Sequence, residues 1–568
     1  MYFNSEGTKE MTYDAIVVGS GISGGWAAKE FCEKGLKTLV LERGRMVKHG
    51  DYPTANKEDW ELPNRNRMTP EEMKDYKIQE RTGYTMTPAQ QHWWPKDTEN
   101  PYSETKPFDW IRAYHVGGRS LLWGRQSYRL GDLDFEANAK EGIAVDWPVR
   151  YKDIAPWYDY VESFIGVSGQ NENLPQLPDG KFLPPMDYNC LETAVKERLK
   201  KSLGRDLIMG RTAHITSPNG HNGRGTCQTR NRCMRGCPFG AYFSSNASTL
   251  PAAEATGNMT IRPFSIVTEI ILDESGKKAK GVRILDSETK ETHEYFAKVV
   301  FLCASALGSA QILLNSTSDR FPNGFGNDSG ELGHNVMDHH FRLGANGNSD
   351  EFKDKFYKGR RPTGIYIPRF RNIDAKSKMS NFIRGYGYQG GASRDGWERY
   401  IAEADYGKNL KDALSQNGDW GFGIMAFGEC LPYHENKVSI NKDVKDIYGL
   451  PTLTMDAEWK DNEKAMRVDM MDAAAEMLEA AGLKDVKTYD HGCNPGLGIH
   501  EMGTARMGLD PKTSVLNKWN QVHAAPNVFV TDGAFMTSAS CVNPSLTYMA
   551  FTARAVNYAV DSIKKGNL

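Results

Sequence analysis

Apolar residues near the N-terminus form continuous runs, not alternating ones. Asp14-Ala15-Ile16-Val17-Val18 is short, apolar and bounded by a glycine turn, which predicts a strand buried on both faces. Gly19-Ser20-Gly21-Ile22-Ser23-Gly24 follows, then an alanine-bearing segment of helical character that reaches Lys34 and stops at Gly35. Lys37-Thr38-Leu39-Val40-Leu41-Glu42 predicts a second strand ending in an acid. The pattern is then lost: from Asp51 to Pro107 the chain is polar and irregular around His92-Trp93-Trp94-Pro95. Strand-like and helical segments alternate from Met259 to Ser316, with a hairpin near Ser275-Gly276. Ala345 to Asp490 is aromatic and rich in charge, with a helix predicted over Asn462–Ala481. Near the C-terminus, Asn527–Thr531 reads as a strand running into Asp532-Gly533, and Leu546–Lys564 as a helix. Both ends read as pieces of one nucleotide-binding unit, so the domains interleave. The longest apolar stretch, Val299–Leu314, is broken by Ser and Gly, short of the ~20 residues a spanning helix needs.

The strand, glycine turn, helix and second strand together have a chemical use. Gly19 allows the tight turn, Gly21 lets backbone approach a pyrophosphate, and Gly24 lets the helix pack close to the strand. The helix N-terminus then offers unpaired N–H groups and a positive dipole end to the phosphates. Glu42, about 20 residues further on, is placed to accept from a ribose hydroxyl. This predicts dinucleotide binding without separating NAD from FAD.

Composition narrows the class. The 568 residues carry 70 Lys+Arg against 72 Asp+Glu, a net charge of −2, which argues against a nucleic-acid partner. Hydrophobic content of 39% argues against a multi-span membrane protein. Met1 to Asp14 holds no apolar signal core, so the default expectation is cytoplasmic. Nine cysteines are too sparse for a disulfide scaffold, but Cys227, Cys233 and Cys237 share one Gly- and Arg-rich loop. Such a loop stabilises thiolates, and closely spaced thiolates are what iron–sulfur clusters need. Three local cysteines suit a three-iron [3Fe-4S] cluster better than a cubane needing four. Zinc with His221 as fourth ligand and three purely structural cysteines are the alternatives. A cluster would accept single electrons for an external carrier, which points to a dehydrogenase. The chain has no Cys-x-x-Cys-His haem site, so the acceptor would be another protein, such as a cytochrome subunit.

Four further segments carry a resemblance: His115–Trp123 around Gly117-Gly118-Arg119-Ser120, Cys303–Leu314, His500–Gly508, and Val542-Asn543-Pro544-Ser545-Leu546-Thr547. With the glycine motif they resemble the glucose–methanol–choline (GMC) oxidoreductase family along nearly the whole chain, closest to its pyranose oxidase and glucoside 3-dehydrogenase branch. The resemblance implies an α/β plus α+β fold: a discontinuous Rossmann-like FAD-binding domain with an antiparallel-sheet substrate domain. Residues 11–50, 108–135, 205–335 and 495–568 fall to the first, and 51–107, 136–204 and 336–494 to the second and its excursions. It implies FAD contacts at Gly117, Gly118, Ser120, Asp532 and Gly533. Leu122 stands where some pyranose-oxidising relatives link the flavin through a histidine, so FAD is expected to be non-covalent.

His500 is the expected base: oxidising an alcohol requires removing the hydroxyl proton as hydride leaves for the flavin, and a neutral imidazole suits that proton. Alone it would read as a core histidine; the surrounding motif reverses that. Asn543 would hold the same substrate oxygen. Asp338-His339-His340 resembles a structural stretch of the family. Trp93, Trp94 and Trp420 are either sugar-stacking rings or core, and Cys541 lies close to Asn543. The expected activity is dehydrogenation of a secondary hydroxyl of a pyranose sugar or glucoside, at C3, giving a 3-keto sugar. An oxygen-using pyranose oxidase, a flavin-fold lyase or redox-silent member, and a non-enzymatic iron–sulfur redox sensor are the rivals. Relatives exported folded with a signal-bearing small subunit make a periplasmic location the alternative to the cytoplasm.

Overall fold

The computed structural model describes residues 11–84, 86–357, 361–396 and 406–568. The N-terminal stretch read above for a signal lies mostly outside these residues. The first apolar run forms Thr12–Val18, buried along most of its length at the centre of an eight-stranded sheet. Along the main path the order is Gln521–Val522, Ala525–Val530, Thr292–Leu302, Thr12–Val18, Thr38–Leu41, Met259–Arg262. The five strands from Ala525–Val530 to Met259–Arg262 are all parallel, which is why they read as unbroken apolar runs. Thr292–Leu302 is long enough to serve two neighbours on one edge. Its first half pairs antiparallel with Ala279–Asp286, and its last residues run parallel to Ala525–Val530. Ala279–Asp286 in turn forms a hairpin with Ser265–Leu272, closed around Ser275-Gly276.

The helix Ile22–Glu33 follows the glycine turn and packs against the C-terminal helix Ser545–Lys564. Ala27, Ala28 and Phe31 share a core with Ala555, Val556 and Val560, and the alanines let the helices approach. The two ends of the chain therefore meet in one domain.

The second sheet is antiparallel throughout, in the order Lys484–Asp490, Leu343–Ser349, Trp420–Gly428, Tyr386–Arg394, Ile365–Ile367, Ile208–Met209. Phe422 and Ile424 from one face are buried with Leu191, Val195, Met466 and Met470, from the helices Cys190–Leu203 and Asp461–Ala480. Ile208–Met209 belongs to this sheet although residues 205–335 were assigned to the nucleotide domain; its backbone pairs with Ile365–Ile367. Lys437–Lys445, Pro451–Asp456 and Ser103–Glu104 make a third, small sheet. Among the described residues, no helix is long and apolar enough to cross a membrane.

Candidate active site

A cavity of about 1990 Å³ is lined from both large sheets, well above the ~300–1,000 Å³ of most single-ligand sites. At one end lie the glycines of the first turn. Gly19 has φ +93° and sits so close to Cys303 that an added Cβ would lie 2.5 Å from its carbonyl oxygen. At Gly24 an added Cβ would fall 1.8 Å from the Gly19 carbonyl oxygen, so helix and turn touch backbone to backbone. At Gly21 an added Cβ would meet nothing within 4 Å, and this glycine caps a helix with no side-chain partner for its first N–H groups. The one open glycine thus faces the cavity at a free helix N-terminus, as a phosphate cradle requires. Gly118 packs beside Gly21, and the Gly117 N–H donates 2.9 Å to Ser20 Oγ. Ser120 Oγ donates to the Gly117 carbonyl and accepts from the Ser245 N–H, and Ser245 Oγ in turn donates to the Gly21 carbonyl, so Ser245 bridges the two turns.

Glu42 lines the same cavity and accepts from Ser20 and, at 3.1 Å, from the Gly44 N–H. Burial pushes its carboxyl above the usual range. Asp532 accepts from Ser309 Oγ and from the Ala534 N–H, and burial raises its carboxyl to about 6. Gly533 leaves room for Glu501 backbone and for Tyr548, whose buried Oη has no protein partner. The open Gly21, the free helix end and this unpaired hydroxyl on the wall fit a bound dinucleotide.

His500 and Asn543 line the cavity too. His500 Nε2 lies 3.3 Å from Asn543 Nδ2, and His500 Nδ1 lies 2.9 Å from His339 Nδ1. His339 Nε2 is 2.8 Å from the Ser540 carbonyl oxygen, and Gln389 Nε2 donates 2.8 Å to Asn543 Oδ1. Backbone bonds between Met337 and Met502 lay the two histidine-bearing segments side by side. The residue before His500, Ile499, has φ +61°. That conformation costs a β-branched residue ~1–3 kcal/mol. It is held by the buried Asp338 carboxylate, which accepts from the backbone N–H groups of Gly496, Gly498 and His500. Burial and the nearby Glu501 push Asp338 up to about 7. Arg119, beside Gly118, donates to both Glu501 oxygens at 2.9 and 2.8 Å and ties the second glycine turn to the His500 segment.

Desolvation, reinforced by His339 and Arg119, holds the His500 imidazole well below its ordinary pKa; burial lowers His339 to about 4. Both rings are neutral near pH 7.

Other sequence-predicted residues fall elsewhere. His339, read as structural, touches the expected base. Trp94 and Trp420 line the cavity, whereas Trp93 is buried against His92 and His115. Leu122 is on the wall; Cys541 is buried and does not reach it. Cys227, Cys233 and Cys237 are free thiols around one small cleft. Among the described residues, no group of three or more His, Cys, Asp and Glu side chains is arranged to hold a metal ion. The cysteines as placed do not fit a cluster. His221 does not line the cleft these thiols share, and its Nε2 is turned to the Ser163 carbonyl at 2.7 Å. His214 is the histidine beside the loop, its Nε2 3.7 Å from Cys233 Sγ.

Fold and site together define a two-domain, dinucleotide-binding oxidoreductase with a His–Asn pair at its cavity. The chain belongs to the GMC oxidoreductase family, whose N-terminal profile matches residues 13–341 and whose C-terminal profile matches residues 432–552. Members of this family bind FAD and act on CH–OH groups. The chain is 29% identical to 2-methyl-1,2-propanediol dehydrogenase of Mycolicibacterium austroafricanum, covering 96% of this chain and 94% of that one. It is 28% identical to the fructose dehydrogenase large subunit of Gluconobacter japonicus, covering 98% and 99%. The structure of formate oxidase from Aspergillus oryzae superposes with a TM-score of 0.61 at 12% identity, covering 98% and 99%; that likeness is one of fold.

Proposed function

We propose that this chain is an FAD-dependent dehydrogenase oxidising a secondary hydroxyl of a pyranose sugar or glucoside, most specifically at C3. The observation that carries the reading is His500 Nε2 facing Asn543 across 3.3 Å on the wall of the cavity that also holds the glycine cradle. FAD, when bound, supplies the acceptor for the hydride leaving the carbinol carbon. Gly19, Gly21, Gly24, Glu42, Gly117, Gly118, Ser120, Asp532 and Gly533 would hold it, without a covalent link at Leu122. His500 takes the hydroxyl proton at Nε2, and Asn543 holds the same oxygen as it becomes a carbonyl. Trp94 and Trp420 line the same cavity, where aromatic rings suit the apolar side of a sugar. The similarity to a diol dehydrogenase and a fructose dehydrogenase subunit supports a polyhydroxylated substrate.

Electrons are proposed to leave to an external protein acceptor, and co-export with a small subunit is the corresponding proposal for location. Anaerobic addition of methyl glucoside should bleach the flavin, with a 3-keto product and, in air, little peroxide. Rapid peroxide would make the chain an oxidase instead. No bleaching by glucosides, with bleaching by small diols, would overturn the sugar assignment. Iron and sulfide analysis decides the cysteine loop separately: about three irons per chain would restore the cluster.

The pH profile carries a further expectation. The base must be unprotonated, and its ring is held below the ordinary histidine value of ~6.5 by desolvation, His339 and Arg119, with Glu501 engaged by Arg119. Lowering the pKa extends the neutral form to more acidic pH. Then kcat/KM should stay level from about pH 8 down through 6.5 and fall only below it; an acid limb at or above 6.5 would contradict this environment.

A further inference from the structure

We propose that His339 and Gln389 are positioning residues that fix the ring tautomer of His500, leaving its Nε2 lone pair facing the cavity. This rests on the reading of His500 as the base. The direction of the chain follows from its anchored end. The Ser540 carbonyl oxygen can only accept, so His339 Nε2, 2.8 Å away, carries a proton. A neutral imidazole has one N–H, so His339 Nδ1 is an acceptor. His500 Nδ1, 2.9 Å from it, must then be the donor, and His500 Nε2 is left as a lone pair. Only a donor suits the neighbour of that lone pair, so Asn543 presents Nδ2 to it and turns Oδ1 away. Oδ1 is satisfied in its turn by the Gln389 amide N–H at 2.8 Å. Every bond from Gln389 through Asn543, His500 and His339 to Ser540 thus points the same way.

The burial of His339 and Ser540, each about 1% exposed, supports this order, because an N–H or carbonyl left unpaired there would cost ~1–3 kcal/mol. The arrangement also suits the proton transfer. The 3.3 Å contact of Asn543 with Nε2 is long for a hydrogen bond, so a substrate hydroxyl can replace it. After His500 takes the proton at Nε2, its Nδ1–H still donates to His339, and no other member need change. Without His339 the ring could carry its proton on Nε2, the wrong side for a base.

Three variants and one spectrum test this. His339→Leu should lower kcat on methyl glucoside with a dye acceptor by roughly 10–100-fold, part of the ~10²–10⁴ that a general base supplies. KM and flavin content should change little, the melting temperature should fall because the Ser540 carbonyl is left unpaired, and the acid limb of the pH profile should shift. His339→Gln, whose amide can both accept from His500 and donate to Ser540, should recover most of the loss. Gln389→Glu is isosteric but donates nothing when ionised, so it favours Asn543 turned the wrong way and should also lower kcat. In ¹⁵N-histidine-labelled wild-type protein, the His500 signals, assigned by their loss in His500→Gln, should show a protonated Nδ1 and an unprotonated Nε2. This spectrum needs no substrate and stands even if His339→Leu fails to fold. A protonated Nε2, or wild-type kinetics and pH profile in His339→Leu alongside an inactive His500→Ala, would overturn the proposal. An active His500→Ala would instead overturn the base assignment beneath it.

Discussion

Replacing His500 with alanine should lower turnover by about 10²–10⁴-fold while the protein stays folded and flavin-loaded. The ring is half-buried at the cavity wall, and its polar contacts run to His339 and Asn543, not to the glycine turns. Truncation therefore removes the proton acceptor without disturbing the cradle. The backbone of the segment stays anchored, because Asp338 accepts from the His500 N–H and not from the ring. With the base gone, the hydroxyl proton has no neutral acceptor beside the oxygen, and C–H cleavage must proceed from the unassisted alcohol. The measurement is stopped-flow loss of flavin absorbance on mixing with substrate, beside the flavin-to-protein ratio and the melting temperature. Partial rescue by added imidazole would strengthen the assignment, since the vacated space opens on the cavity. Unchanged bleaching rates would end it. A variant that has lost its flavin would instead place His500 in cofactor retention.

The parts of this molecule that were legible in sequence are those whose determinants are local. The strand, glycine turn, helix and second strand over residues 14–42 each carry their pattern within a few positions, and the structure has them as Thr12–Val18, Ile22–Glu33 and Thr38–Leu41. The hairpin at Ser275-Gly276 and the helices at Asp461–Ala480 and Ser545–Lys564 were legible for the same reason. His500 and Asn543, 43 positions apart, were found only because their flanking motifs resemble a family. His339 and Gln389 had no such signal as partners of the pair. They stand 161 and 154 positions from the residues they touch, and their contacts depend on the Met337–Met502 pairing and on the course of Tyr386–Arg394 through the second sheet. Ile208–Met209 is too short to carry a period, and only its pairing with Ile365–Ile367 assigns it. At the cysteine loop, nearness in sequence misled: His221 forms a tight turn with Arg224 that aims it at Ser163, while His214 arrives beside Cys233.

Two alanine substitutions in the first glycine turn should fail in opposite ways. At Gly24 the new methyl would lie 1.8 Å from the Gly19 carbonyl oxygen and 2.7 Å from its carbon. Both atoms are backbone, so no flexible side chain can yield, and the helix must move off the strand. Gly24→Ala should destabilise even the apoprotein, by about 3 kcal/mol or more, seen as a lower melting temperature with no flavin present. Gly21 has φ −69°, which an alanine adopts freely, and its added methyl would meet nothing within 4 Å. Gly21→Ala should leave apoprotein melting unchanged. Its methyl projects where a pyrophosphate must approach the free N–H groups of the helix, so FAD affinity should fall about 100-fold, near 2.8 kcal/mol at 1.4 kcal/mol per tenfold. Calorimetric melting of the flavin-free variants and fluorescence titration with FAD separate the two effects. Wild-type FAD affinity in Gly21→Ala would remove the phosphates from this turn, and wild-type apoprotein stability in Gly24→Ala would mean that the contact with Gly19 is not as tight as the structure has it.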